Sequence, residues 1–170
     1  MDVYECLRDR RTVRHFDKVE IPDKTLTRIL NAARWAPSSR NQQPWHLVVV
    51  KNRGTLDQIG TVAKTGSFIG DAPLAIAIVM EGADQPRMDA GRALQQMELI
   101  AWSEGLGTCF VTLRAEERNA IKKILQIPDQ MELITVLPFG VRSGEYKGRG
   151  TPRKPLSEMV HTESFGKFME

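Results

Sequence analysis

The 170-residue chain lacks the features that mark several specialised classes of protein. Its two cysteines, Cys6 and Cys109, lie far apart and form no CxxC pair, so neither a disulfide framework nor a zinc ribbon is predicted. No apolar run reaches the roughly 18 residues that a membrane-spanning helix needs. The N-terminus carries acidic residues and no signal-peptide core. These absences predict a cytoplasmic protein without a membrane anchor.

Metal, hydrolase and phosphate-loop motifs are also missing. The three histidines are scattered and no HExxH or Cys/His cluster occurs, so no metal site is predicted. The sequence has no GxSxG elbow, and the first predicted strand is not followed by GxGxxG. The stretch GEYKGRGT lacks the Lys-Ser/Thr pair of a P-loop. Basic and acidic residues number 24 and 21, and a net charge of +3 is too small to indicate a dedicated nucleic-acid binder.

The spacing of apolar residues predicts one mixed α/β domain over residues 1–170, of the α+β class. The runs 45–50 and 73–80 are continuously apolar, which is typical of central strands covered on both faces. Asp23 is the predicted N-cap of a helix that Pro37 ends. The predicted strands are 45–50, 73–80, 108–113 and 132–140. The predicted helices are 2–7, 23–36, 55–64, 88–104 and 116–125.

The C-terminal stretch differs in character from the rest. Residues 141–155 hold five basic residues against one Glu, with frequent Gly and Pro, which argues against a core element. Residues 141–170 are therefore predicted to form an extended arm that lies on the surface of its own subunit or of a partner. The broad apolar face of the 88–104 helix is compatible with burial by the sheet or by a partner subunit.

What the chain does have is arginine near its start, in RDRRTVRHF at residues 8–16. If residues 10–14 are extended, Arg10, Thr12 and Arg14 share one face; if they are helical, Arg10 and Arg14 still do. Two guanidinium groups aimed the same way suit a phosphate, which they bind bidentately. A solvated charged turn gives the same pattern. A nucleic-acid surface is a third interpretation, disfavoured because few aromatic residues interleave with the basic ones.

Five segments, in order, resemble the nitroreductase family of FMN-dependent flavoproteins. RRTVRHF is similar to the family's RRSxRxF, and APSSRNQQPWHLVVV to its APSxxNxQPWxFxVV. DAGRALQQMELIAWSEGLGTCFV resembles its central helix running into a Leu-Gly-Thr strand. LPFG and PRKPLSEMVH complete the match. The resemblance covers nearly the whole chain and implies a nitroreductase-like fold, with a central mixed sheet flanked by helices and a C-terminal arm exchanged in a homodimer.

The resemblance also implies the residues that bind FMN, and it nominates no catalytic residue. Arg14 would lie at the pyrimidine edge of the flavin, where a cation stabilises the charge of the reduced ring. The phosphate and ribityl chain would be bound by Arg10, Thr12 and Arg153, with Arg11 in the same motif. A loop contributed in part by the other subunit would line the ring, through Pro37, Ser38, Ser39, Asn41 and Gln43. Thr112 and Leu113 stand where many relatives carry Gly-Gly beside flavin N5, and Gly140 is the glycine of LPFG.

The implied activity is a two-electron reduction of nitroaromatics, quinones or similar small-molecule acceptors. NADH or NADPH would pass hydride to flavin N5, and the acceptor would then take the electrons over the same ring face. Residues 64–68 are the predicted roof of that site. Reductive dehalogenation and oxygen-dependent flavin fragmentation are alternatives within the family. A non-enzymatic protein that binds anions or nucleic acid is the alternative of another class.

Overall fold

The computed structural model describes residues 2–143 and 150–169, and helices and strands alternate along the first of these ranges. The helices are α1 (Val3–Asp9), α2 (Asp23–Arg34), α3 (Arg53–Val62), α4 (Pro86–Ser103) and α5 (Ala115–Ile124). The strands are β1 (Phe16–Asp17), β2 (Trp45–Val50), β3 (Leu74–Met80), β4 (Leu106–Thr108) and β5 (Glu132–Arg142). Short 3-10 turns lie at Ser39–Asn41, Ser67–Ile69 and Leu156–Glu158.

The strands form one sheet in the order β1-β5-β3-β2, with β4 also paired to β5. Every ladder between these strands is antiparallel. The parallel contribution is a single bridge between Thr12 and Thr108. The predicted α+β class, with a central sheet flanked by helices, is confirmed, but the sheet expected to be mixed is antiparallel apart from that bridge.

Helices cover both faces of the sheet, and β3 lies between the two resulting cores. One core joins α2 and α4 to the even-numbered residues of β3, including Ile76 and Ile78. The other joins α3 and α5 to Ala75, Ala77 and Val79 of the same strand. All seven residues of β3 are therefore buried. Burial on both faces explains its unbroken apolar run, although such runs are more typical of parallel sheets.

Three predictions of local structure are wrong. The run 45–50 forms β2 at the end of the strand order instead of a central strand; its side chains pack against both cores, but five of its six residues remain at least partly exposed. The predicted strand 108–113 is β4, which ends at Thr108, and residues 109–114 belong to no strand. Asp23 is the first residue of α2 after an N-cap at Pro22, and its carboxylate accepts a hydrogen bond from Lys51 instead.

The predicted arm begins later than expected because β5 continues to Arg142. Residues 144–149 of that arm lie outside the described residues. From Gly150 onward the chain holds one 3-10 turn and an antiparallel bridge between His161 and Phe168. Large apolar side chains remain exposed on it, namely Leu156, Met159, Phe165, Phe168 and Met169. Across the described residues, no helix combines the length and the apolarity needed to cross a membrane.

Candidate functional site

The arginine segment leaves α1 in an extended conformation. Thr12 forms the parallel bridge to Thr108, and the Val13 N–H donates to the Thr108 carbonyl at 3.0 Å. Val13 is buried, whereas Thr12 and Arg14 are exposed. Because side chains alternate along an extended chain, Arg10, Thr12 and Arg14 lie on the face opposite Val13. Of the two predicted geometries, the structure adopts the extended one.

Arg10 lies beside a carboxylate that the sequence analysis did not single out. Its Nη1 atom is 3.5 Å from Oε2 of Glu98 in α4, and the two side chains are 24% and 10% exposed. Burial raises the pKa of Glu98 above that of an ordinary carboxyl, and the Arg10 charge opposes this rise. Glu98 follows Leu94 by one helical turn and precedes Trp102 by another, and both neighbours are buried. An acid on such an apolar helix face is the sequence signal that would have revealed it.

Arg14 lies between a buried thiol and an aromatic ring. The carbon of its guanidinium group is 5.9 Å from the centre of the Phe68 ring. Burial raises the pKa of the Cys109 thiol, and the neighbouring Arg14 charge opposes that rise. Arg10 also acts on this thiol electrostatically. Both arginines thus border the segment that follows β4.

Arg11 is directed differently from the other two arginines. Its Nη1 atom donates to the carbonyls of Arg8 and Arg10, which lie at the C-terminal end of α1. Its Nε atom is buried and has no hydrogen-bond partner among the described residues. A Cβ atom on Gly150 would clash with this guanidinium group, so the C-terminal arm returns to the arginine segment at this point.

The predicted roof packs against the segment that follows β4. Thr65 Oγ1 donates to the Thr112 carbonyl at 3.1 Å, and a Cβ atom on Gly66 would meet the Val111 side chain. Thr112 is exposed beside this segment. Leu113 is 3% exposed and belongs to the α3/α5 core. Of the two side chains that replace Gly-Gly, Thr112 alone faces outward.

The loop that carries the other predicted flavin contacts has a strained backbone. Arg40, Asn41 and Gln43 all have positive φ, at 48°, 56° and 49°. Non-glycine residues rarely adopt this region, and such strain concentrates at functional sites. The loop is closed by a hydrogen bond of 2.9 Å from the Gln43 N–H to Ser38 Oγ. Pro37, Asn41 and Gln43 are exposed, and Ser38 and Ser39 are half-buried.

Asp89 of α4 fastens this loop to the core. The carboxylate is fully buried, and both of its oxygens lie 3.1 Å from the Ser39 N–H. Oδ1 also accepts from Arg92 at 3.2 Å. Asp89, like Glu98, was not among the predicted site residues, because a buried acid near a helix start resembles an ordinary first-turn acid in sequence.

The two groups of predicted site residues lie apart within one chain. Asp89 and Glu98 are nine residues apart on α4, which corresponds to about 14 Å along the axis and about half a turn around it. The 37–43 loop is fastened to the first of these residues and Arg10 to the second. One chain therefore presents the arginine face and the strained loop on different sides of α4.

Two further predicted residues have other surroundings. A Cβ atom on Gly140 would clash with the Phe16 side chain, so this glycine allows β1 to pack on β5. Arg153 is exposed, and its Nη1 atom donates to the Thr151 carbonyl at 2.9 Å. No group of three or more metal-ligating side chains occurs in the part of the chain that is described.

Comparison with known proteins decides the family. A model of the nitroreductase family matches residues 7–82 and 62–141. A Thermus thermophilus protein named NADH dehydrogenase is 31% identical over 197 residues, covering 94% of this chain and 95% of that protein. The chain belongs to the nitroreductase family.

Other members of the nitroreductase family resemble the chain in sequence and in structure. An FMN-dependent nitroreductase from Clostridium difficile superposes with a TM-score of 0.84 at 28% identity, covering 96% of this chain and all of that one. The iodotyrosine deiodinase of Thermotoga neapolitana is 24% identical over 184 residues, covering 93% of this chain and 95% of that protein. The protein is therefore an oxidoreductase with the nitroreductase fold.

Proposed function

We propose that this nitroreductase-family protein is an FMN-dependent oxidoreductase that transfers electrons from NADH or NADPH to small aromatic acceptors. It acts as a homodimer with FMN at the interface between the subunits. The observation that carries the proposal is the outward face formed by Arg10, Thr12 and Arg14 beside residues 109–113. The match to an FMN-dependent nitroreductase over 96% of the chain supports the choice of cofactor.

The residues of this face fit a flavin mononucleotide. A phosphate needs several N–H and O–H donors, which the Arg10 guanidinium group and the exposed Thr12 hydroxyl provide. The Thr108 hydroxyl beside Thr12 is buried without a hydrogen-bond partner among the described residues. A buried hydroxyl without a partner is costly, and a polar ligand on this face would relieve that cost. Arg153 is the further phosphate contact expected from the C-terminal arm.

The positions of the arginine face and the 37–43 loop on different sides of α4 support a dimer. The strained 37–43 loop and the arginine face of one chain lie on different sides of that helix, so neither could complete the other's site within a single chain. In a homodimer with two-fold symmetry, the loop of one subunit reaches the arginine face of its partner, and two equal sites result. Pro37, Ser38 and Ser39 would then line the ring, and the amides of Asn41 and Gln43 would bind its polar edge.

The chain's own contribution to the reaction is binding, orientation and charge. Bound FMN supplies the acceptance and donation of hydride at one ring nitrogen. Arg14 supplies a positive charge that stabilises the anionic form of the reduced ring. The 64–68 segment and Thr112 bound the space in which NAD(P)H and the acceptor alternate. We assign no protein acid or base to the reaction.

The acceptors we propose are nitroaromatics, quinones and similar flat molecules. The match to an iodotyrosine deiodinase makes reductive dehalogenation the second candidate activity. The two activities are separated by an acceptor panel in which the reduced protein is mixed with nitroaromatics, quinones and iodinated phenols. The acceptor that reoxidises the reduced protein fastest identifies the activity.

The cofactor site is tested by Arg10→Ala. This variant loses a charge-assisted bond of about 1.5–3 kcal/mol to the phosphate, so its FMN dissociation constant should rise about 10- to 100-fold. Fluorescence titration of the apoprotein with FMN measures the constant. Arg8→Ala is the matched control, because Arg8 is exposed and pairs with Asp9 in the same segment. Equal FMN affinity in Arg10→Ala and Arg8→Ala would contradict the assigned phosphate site.

A further inference from the structure

Glu98 occupies an unusual place for a charged residue. It lies near the middle of α4 and is 8% exposed, among apolar residues of the same helix that are themselves buried. Burying an ionised carboxylate is unfavourable unless a cation or hydrogen-bond donor compensates it. A leucine would suit packing alone at this position. The presence of a carboxylate at this position therefore indicates a role in its ion pair with Arg10.

Its partner is the arginine that the proposed function places on the cofactor's phosphate. Arg10 Nη1 lies 3.5 Å from Glu98 Oε2, and no hydrogen bond from this guanidinium group to another described residue is found. A guanidinium group has five N–H donors in a rigid planar fork. The ion pair of Nη1 with Glu98 leaves the other N–H donors of this group for an anion.

We propose that Glu98 is a positioning residue that holds the Arg10 guanidinium group in the orientation required to bind the phosphate of FMN. The inference rests on the proposed function and adds to it a residue that never touches the cofactor. An arginine side chain has considerable rotamer freedom, which must be lost when it binds a phosphate. Because α4 is fixed in the core, Glu98 restricts the rotamers of Arg10 when the protein folds. The phosphate then binds to an arginine side chain that is already ordered.

The ionised form of Glu98 performs this role, so the FMN affinity depends on pH. The charged or titratable groups around it are Arg10 of the arginine segment, Cys6 of α1 and Cys109 after β4, with Arg14 beside Cys109 and Arg142 over the neighbouring Trp102 ring. Since burial raises the pKa of Glu98, protonation begins at a higher pH than for an ordinary carboxyl. Affinity gained from positioning is present above that pKa and is lost as the pH falls through it.

Two flavins separate positioning from general damage to the fold. Riboflavin has the same ring as FMN but no phosphate, so positioning of Arg10 cannot affect its binding. We expect Glu98→Leu to raise the dissociation constant of FMN about tenfold and to leave that of riboflavin unchanged. Glu98→Gln keeps the acceptor oxygen but not the charge, and it should give a smaller loss. In an Arg10→Ala background, Glu98→Leu should cause no further loss of FMN affinity.

The pH profile provides a second readout that does not require Glu98→Leu to fold. The ratio of riboflavin to FMN dissociation constants should fall more steeply with acidification in the wild type than in Glu98→Gln. Titration of the phosphate itself is common to both proteins and cancels in the comparison. Glu104→Gln is the matched control, because Glu104 follows the end of the same helix and pairs with Arg28; it should behave as wild type.

The possible results separate the two proposals. If FMN affinity is unchanged or increased in both Glu98 variants, or if FMN and riboflavin lose affinity together, positioning is refuted. Parallel pH profiles in the wild type and Glu98→Gln would refute it as well. If the wild type does not prefer FMN to riboflavin, or if Arg10→Ala has no effect, the proposed phosphate site itself fails. Selective loss of FMN affinity that depends on Arg10 supports both.

Discussion

At the scale of single residues, Arg14 is the side chain expected to tune the cofactor. Its guanidinium group lies near the Phe68 ring and near the buried Cys109 thiol, so it is held at the edge of the site. A fixed positive charge next to the flavin stabilises the reduced anionic ring more than the oxidised ring. In the proposed site we therefore expect Arg14 to act on the reduction potential more than on binding.

We expect Arg14→Ala to lower the two-electron midpoint potential of bound FMN by on the order of 30 mV, which corresponds to the loss of about 1.4 kcal/mol of stabilisation. The FMN affinity should change less than in Arg10→Ala. Dye-equilibrated spectral titration measures the potential. Arg14→Lys retains the charge and should stay closer to the wild type. A potential in Arg14→Ala equal to that of the wild type would contradict the placement of Arg14 at the ring.

The outward face of the arginine segment could be predicted from the sequence, but the buried acids beside the candidate site residues could not. The arginine segment could be recognised because side chains alternate along an extended chain, and its extended geometry was one of the two predicted. Sequence alone could not separate Thr112 from Leu113, since one faces outward and the other lies in the core. Glu98 and Asp89 were missed because their partners, Arg10 and Ser39, are distant in sequence and meet them only in the fold.

At the scale of structural elements, the junction between α4 and the 37–43 loop stores strain at the site. Three of the four residues from Arg40 to Gln43 are non-glycine residues with positive φ, and each such backbone conformation is energetically unfavourable. The loop keeps this conformation because the Ser39 N–H is bound by the buried Asp89 carboxylate. An aspartate inside the core thus determines the shape of a loop on the surface.

Asp89→Asn should destabilise the protein by about 1–3 kcal/mol, because a buried charged acceptor of the Ser39 N–H is lost. It should also weaken FMN binding, since the relaxed loop no longer lines the ring. Urea unfolding and FMN titration measure the two effects. Asp84→Asn is the control, because Asp84 is 45% exposed and lies 3.6 Å from Arg40 of the same loop; a surface pair contributes little. If the two variants were equally stable, Asp89 would not be the anchor.

The elements themselves followed from apolar spacing, with identifiable exceptions. All five predicted helices are present: the apolar stripes of α2 to α5 face one of the two cores, and α1 packs through the buried Cys6 on a smaller cluster with Val13 and Trp102. The predicted strand 108–113 failed beyond Thr108 because β4 pairs with β5 over three residues and the buried Val111 and Leu113 then pack against α3 and α5 without a ladder. Burial alternates from Cys109 to Leu113 as it would in a strand with one covered face, so spacing alone could not show where the hydrogen bonding ends.

At the scale of the whole molecule, the proposed dimer explains the apolar surface of one chain. Leu156, Met159, Phe165 and Phe168 of the arm are all more than half exposed. Another apolar surface lies between α1, α2 and α4, around a cavity of about 350 Å³ lined by Val3, Trp35, Leu99 and Ile100 among others. Contiguous apolar surfaces of this kind mark interfaces in soluble proteins. The sequence could predict the arm from its composition but not the surface on which it lies.

Charges placed on the arm should separate the subunits. We expect Leu156→Asp combined with Phe165→Asp to shift the protein from dimer to monomer and to release FMN at the same time, because each site of the proposed dimer is built from both chains. Sedimentation velocity with detection of protein and flavin measures both. Val19→Asp is the control, since Val19 is an exposed apolar residue outside the arm. A double variant that stays dimeric and keeps its flavin would exclude the arm from the interface.

The most direct test of the account is anaerobic titration of the purified protein with NADH and with NADPH while the visible flavin spectrum is recorded. We predict a yellow protein with one FMN per chain, whose flavin absorbance is bleached by at least one of the two nucleotides and restored by a nitroaromatic or quinone. A protein that neither retains FMN nor binds it when it is added, or whose bound flavin is reduced by neither nucleotide, would contradict the account.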